Sequence, residues 1–301
     1  MQEFYNFLDN KKGDVFMLRR KRNLIPFVFL ILLFLATMTA TWWLPVSPSF
    51  MDSSLRLMAP SAEYWFGTDH FGRDIFGQTI IAARVSLLVG FTVAALSTIM
   101  GTITGLIAGY YKKLDSIIMR IIDGMLAFPS LLLALALVAA LGGSVTNIII
   151  ALTFSFWPVM TRVVRSSVLQ VKNIQYVEAA KTSGIKDPVI LSRYILPNVM
   201  SPIIVQGTFI FARSILAEAA LSFLGVGVEP SIPTWGNMLQ EAQIYITTAP
   251  WFSIFPGIFI VVTVLALNIL GDGLRDAFDP YAKGKKKVKK QMFKQRKQYA
   301  S

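Results

Sequence analysis

The sequence predicts an all-α, polytopic membrane protein with six transmembrane helices, and three observations carry that expectation. Of 301 residues, 54% are hydrophobic and only 15% charged, which is too apolar for a water-soluble domain of this size. Uncharged intervals long enough to cross a bilayer recur along the chain. The 29 Lys and Arg against 17 Asp and Glu are also distributed unevenly between those intervals. The absence of cysteine excludes disulfides, thiolate zinc sites and cysteine nucleophiles, and the single histidine, His70, cannot build a multi-histidine metal centre.

The first span is expected at Leu24 to Leu44, inside an uncharged run from Asn23 to Met51. Arg19, Arg20, Lys21 and Arg22 precede it as they would in a signal peptide, but the apolar run is too long and no small-residue cleavage site follows, so it is expected to remain in the mature protein. A second uncharged run lies between Arg84 and Lys112, with Gly90, Gly101, Gly105 and Gly109 suited to close helix contacts in a bundle. Gly124 to Thr161 is uncharged for 38 residues, almost twice a bilayer. Gly142 and Gly143 are expected to break it into a hairpin of spans near Ile117 to Leu141 and Val145 to Val164. Pro202 to Leu224 and Trp251 to Leu270 complete the six.

Charge orients these spans, because Lys and Arg concentrate on the cytoplasmic side. With the N-terminus inside, the inner segments hold 25 of the 29 cations and the outer ones only Arg56, Arg73 and the boundary Arg84, with Arg213 inside the fifth span. Both termini are then cytoplasmic. Residues 1–22 form a cytoplasmic N-tail, 23–280 the membrane domain with an extracellular loop at 45–83 and a cytoplasmic loop at 165–201, and 281–301 a basic tail. The basic tail reads as a solvated run near anionic lipid heads, not as a nucleic-acid arm.

The inner loop reads as two short helices. Asn173 is placed to cap the first, with Ile174, Val177 and Ala180 on one face and Gly184 ending it as a left-handed cap. Asp187 and Pro188 start the second, which is expected to stop at Pro197. The small residues at Glu178-Ala179-Ala180 can lie deep in a groove of another protein, which makes the first helix a docking element.

The run EAAKTSGIKDPVILSRYILPN, Glu178 to Asn198, resembles the coupling loop of ABC importer permeases, with its Glu-Ala-Ala, a Gly four residues on and a Leu-Pro further along. FGTDHFGRDIF from Phe66, ARVSLLVG from Ala83, EAALSFLGVGV from Glu218 and NILGDGLRDAFDP from Asn268 are similar to the dipeptide, oligopeptide and nickel permeases, in the C-type member of the pair. Tyr194 departs from the general isoleucine at its position. The resemblance implies the type I importer permease fold, with Glu178, Ala179, Ala180, Gly184, Leu196 and Pro197 coupling to an ATPase. The implied partners are a second homologous permease, two cytoplasmic ATPases and an extracellular solute-binding protein, in the membrane lipid of a bacterial cell. No cofactor is expected on this chain, since ATP and Mg would sit on the ATPases. Di- or oligopeptides, nickel or a metal chelate are the substrates the resemblance allows.

Other residues keep two readings. Gly67, Asp69, Gly72, Arg73 and Asp74 either pin the external entry to the second span or serve an extracellular function, and His70 would be at best a lone weak ligand, so no metal site is expected. Arg213 and Glu218 are costly in a span and are either a paired bundle element, through a neighbouring helix, or part of a substrate path with Gln206. Pro129 and Pro158 fit kinks as well as exposed pathway backbone. An enzyme is disfavoured, because no Gly-x-x-x-x-Gly-Lys-Ser/Thr loop, no Gly-x-Ser-x-Gly and no histidine in a span is present. An ion- or proton-coupled secondary transporter is the alternative, weakened by Glu218 being the sole mid-span acid.

Overall fold

The computed structural model describes residues 21–44 and 50–278. Almost all of the expected N-tail 1–22 and the whole basic tail 281–301 lie outside the described residues. The described residues are mostly helical. α1 covers Lys21–Trp43, α2 Ile75–Tyr110, α3 Lys112–Leu126, α4 Ser130–Leu141 and α5 Val145–Val171. In the inner loop α6 covers Gln175–Thr182 and α7 Asp187–Val189, followed by a π-helical stretch at Ile190–Ile195; then come α8 Leu196–Phe223, α9 Trp235–Ala242 and α10 Trp251–Phe278.

Among the described residues five helices are long and apolar enough to cross a membrane, and the count is six when α3 and α4, bent by 84°, are taken as one broken span. The sequence predicts one span near Ile117 to Leu141 with Pro129 as a candidate kink, and the structure breaks the chain at that proline. Proline offers no N–H and pushes the preceding residue out of the helical region, so the chain breaks at Ala127–Pro129. Gly142, at φ 89°, turns the chain back into α5, whose first turn is capped by Ser144 Oγ accepting from Asn147 N at 3.1 Å.

Lipid tails are as apolar as leucine, so spans adhere through close van der Waals fit and not through exclusion of water. α2 and α5 achieve that fit with a glycine ladder. A Cβ on Gly101 would stand 2.5 Å from Met160 Cβ, one on Gly105 2.6 Å from Val164 Cβ, and one on Gly109 2.6 Å from Val168 Cβ. Three successive turns of α2 thus seat three successive turns of α5, and Met160, Val164 and Val168 are fully buried. Higher up, Gly90 admits Ile215 and Phe211 of α8 in the same manner. Two apolar cores result, one around α2, α4, α5, the inner loop and α8, the other around α1, α2, α8, α9 and α10.

Candidate functional site

The loop predicted to be cytoplasmic folds as a bracket of short helices. α6 begins after Ile174, which caps it without a side-chain bond, so the expected cap at Asn173 is not formed; Asn173 is exposed. Its end follows expectation: Gly184 at φ 76° lets Gly184 N donate to Lys181 O at 3.1 Å and Ile185 N to Ala180 O at 3.2 Å. Val177 and Ala180 turn inward against Ile190 and Ile195, whereas Glu178 and Ala179 face outward. Ala180 therefore anchors the helix, and the small exposed surface is that of Ala179.

The second inner helix does not stop at Pro197. It continues from Asp187 to Phe223, because the π-helical stretch before Leu196 widens the turn and takes up the proline with its missing donor. Leu196 and Pro197 thus lie at the joint between the loop and the span. Lys186 and not Asp187 occupies the cap position, and Asp187 instead accepts from Tyr110 Oη of α2 at 2.7 Å. Lys172 Nζ donates to Gly109 O at 2.8 Å, and Arg165 grips Asp115 of α3 through Nε at 2.5 Å and a second nitrogen at 2.7 Å.

In α8 the two charged residues of the span part company. Glu218 is fully buried, with Ser86 Oγ of α2 donating to it at 3.0 Å and Ser222 Oγ at 2.9 Å. The Thr234 side chain, which also caps α9 by accepting from Asn237 N, is a further hydrogen-bonding neighbour. Glu218 therefore ties α2, α8 and α9 together, and the expected ionic pairing with or through a cation is absent among the described residues. Arg213 is exposed, five residues away on a different face, and Gln206 is half-exposed.

The Phe66–Phe76 segment, predicted to be extracellular, is a compact plate. Asp69, fully buried, accepts from Phe71 N at 2.8 Å, Arg73 N at 2.9 Å, Arg73 Nε at 2.5 Å and Gln78 Nε2 at 2.7 Å. Gly67 and Gly72, at φ 74° and 76°, supply its turns, and Gly72 lies so close to the Asp52 carbonyl that no side chain fits. Asp74 caps α2 by accepting from Phe76 N and Gly77 N at 3.2 and 2.9 Å. Arg73 reaches across to Glu241, just past Trp235 on α9, at 2.9 Å. Asp69, His70 and Glu241 offer ligand atoms within 4.8 Å of one another, but both carboxylates already hold the Arg73 guanidinium, so the cation between them is arginine. Burial lowers the His70 imidazole below its ordinary pKa, and desolvation raises the Glu241 carboxyl. Ser86, Ser222, Thr234, Trp235 and Glu241 were not singled out by sequence reasoning. The spacing of Ser222 four residues after Glu218 and the Thr234 cap signal were the cues available.

Residues 99–284 match the family described as the binding-protein-dependent transport system inner membrane component. A dipeptide transport system permease protein of Alkalihalophilus pseudofirmus is 47% identical over 261 residues, covering 86% of this chain and 84% of its own. A glutathione transport system permease protein of Pectobacterium atrosepticum is 41% identical over 258 residues, covering 85% and 86%. The chain belongs to this permease family. The permeases of the family are membrane components of bacterial ABC importers and not enzymes, and the ATPase is a separate subunit. The fold agrees: a solved chain of the inward-facing methionine ABC transporter MetNI superposes with a TM-score of 0.57 at 16% identity, covering 67% of this chain and 97% of that one. In this family's terms the all-α permease fold and the ABC importer role are as the sequence implied, and a binding protein and an ATPase are the partners of such a permease.

Proposed function

We propose that this permease carries di- or oligopeptides, as the C-type half of a pair with a second homologous permease. Two cytoplasmic ATPases bind beneath, holding the ATP and Mg, and a solute-binding protein delivers from outside; both termini face the cytoplasm. The named substrates of the relatives support peptides over nickel. The observation that carries the coupling assignment is the bracket: Ala179 and Glu178 point outward from a short helix whose other face is buried in the core of the span.

Because Asp187 to Phe223 is one helix of 37 residues, about 55 Å at 1.5 Å per residue, a push on α6 moves α8 as a rigid body. Closure of the ATPases by ATP then biases the spans between inward-open and outward-open states. The test is uptake by the full complex in proteoliposomes. Alanyl-alanine should accumulate only with ATP inside the cytoplasmic compartment and loaded binding protein outside; accumulation driven by a proton or sodium gradient without ATP would make the chain a secondary transporter.

A further inference from the structure

We infer that Arg213 is the pathway contact for the carboxylate of the transported peptide. The inference rests on the peptide-importer reading above and deepens it. Along α8, Pro202, Gln206, Phe209, Arg213, Leu216 and Ala220 follow one another at steps of four and three, which places them on a single stripe of the helix. None of the six is buried, whereas Ile203, Ile210, Ser214, Ala217 and Leu221 on the adjoining faces are. Phe209 lies beside Gly271 of α10, while Arg213 and Leu216 are exposed, so around Arg213 the stripe is a side of α8 that this subunit leaves uncovered.

A guanidinium cannot be deprotonated and is expensive to turn toward hydrocarbon, so in mid-span it faces protein or a water-filled path. Among the described residues it has no acid partner. Glu218 on the same helix is closed off behind Ser86 and Ser222, Asp123 of α3 is held by Arg162 at 2.5 Å, and no ion pair or hydrogen bond joins Arg213 to any described residue. The open stripe therefore presents a planar five-donor cation with Gln206 two turns below it and Phe209 between them. This set suits a small zwitterion: the fork takes a carboxylate in two parallel bonds, and the amide accepts or donates to a peptide group. The same cation opposes passage of free metal cations, consistent with a peptide substrate and not with nickel.

The experiment uses the reconstituted complex with loaded binding protein and compares alanyl-alanine with alanyl-alanine amide, in wild type, Arg213→Gln and Arg213→Lys. Taking each variant's uptake relative to wild type for the same substrate cancels the preference of the binding protein. Arg213→Gln should lower uptake of the acid about tenfold, the loss of one charge-assisted contact, and leave that of the amide within about twofold. Arg213→Lys should recover part of the acid's uptake, and ATP hydrolysis stimulated by the binding protein should stay at the wild-type rate in both. Equal losses for acid and amide, no loss for either, or a variant that no longer co-purifies with the second permease would overturn the assignment, the last making Arg213 an ion-pair partner of that subunit. Failure of wild type to take up alanyl-alanine at all would instead remove the peptide reading beneath it.

Discussion

At the scale of single residues, Glu218 and His70 each make a prediction. Glu218, fully buried, accepts from the Ser86 and Ser222 hydroxyls, so Glu218→Ala leaves them without that acceptor and should cost about 1–3 kcal/mol, read as lower yield and a lower unfolding midpoint of the complex. Glu218→Gln keeps a carbonyl oxygen and should fold near normally; a large loss in this variant would show that the charge itself matters. His70 predicts a pH dependence. Its pKa is depressed on folding by burial, so the folded state resists protonation. Its contribution is therefore complete above the unfolded value of 6.5 and is lost as pH falls through the lower folded value. Asp69 opposes this shift while Arg73 and Arg56 reinforce it. Glu241 works the other way: its raised pKa contributes stability at acidic pH that fades as pH rises through the carboxylate range. Thermal unfolding between about pH 7.5 and 5.5 should show a decline in wild type that His70→Gln flattens.

At the scale of elements, packing and docking separate cleanly by substitution. Gly105→Leu drives a side chain into Val164 and the Thr161 carbonyl and should cost about 1–3 kcal/mol or more, whereas Gly257→Ala in α10, with nothing within 4 Å, should be neutral or slightly stabilising; equal effects would mean that α2 and α5 are not held by this ladder. In the coupling loop, Ala179→Arg should leave insertion intact and abolish ATP-dependent uptake, while Ala180→Arg buries a charge and should damage the fold itself. Normal uptake by Ala179→Arg, checked with co-purification of the ATPase, would remove α6 as the coupling helix. Which elements exist was legible because their signals are local: Gly184 and Gly142 at turns, Pro188 in a first turn, small residues on α2. The apolar face of α6 was legible in Val177 and Ala180, but that Ala180 belongs to it and not to the docking surface was not, because a small residue fits a core and a groove equally well, and the bend at Pro129 and the continuation through Pro197 look alike in sequence. A proline marks a stop, a kink or a first turn, and only the surrounding helices decide among them.

At the scale of the whole molecule, the architecture follows from how the bilayer treats backbone and charge, so it was the most legible level; the partners of Arg213 and Glu218 depend on which helix covers which face, and no local pattern encodes that. The opposite faces of the molecule now have distinct constructions. The face predicted to be outer is a plate of Asp69, Arg73, Glu241 and α9 packed onto the spans; the face predicted to be inner is a bracket tied to α2 and α3 by Tyr110, Lys172 and Arg165. The 25 cations assigned to inner segments against three assigned to outer ones predict their orientation across the membrane. A chain without cysteine allows a direct check, since single cysteines replacing Ser61, Asn173, Ser231 and Ser301 carry no background label. Ser61 lies in the outer plate's approach and Ser231 just before α9, whereas Asn173 is exposed at the start of α6. A membrane-impermeant thiol reagent applied to intact cells should therefore modify Ser61→Cys and Ser231→Cys and spare Asn173→Cys and Ser301→Cys, with all four reacting once the membrane is broken. Labelling of Asn173→Cys from outside would invert the molecule, putting the bracket beyond the reach of any cytoplasmic ATPase and ending the coupling assignment with it.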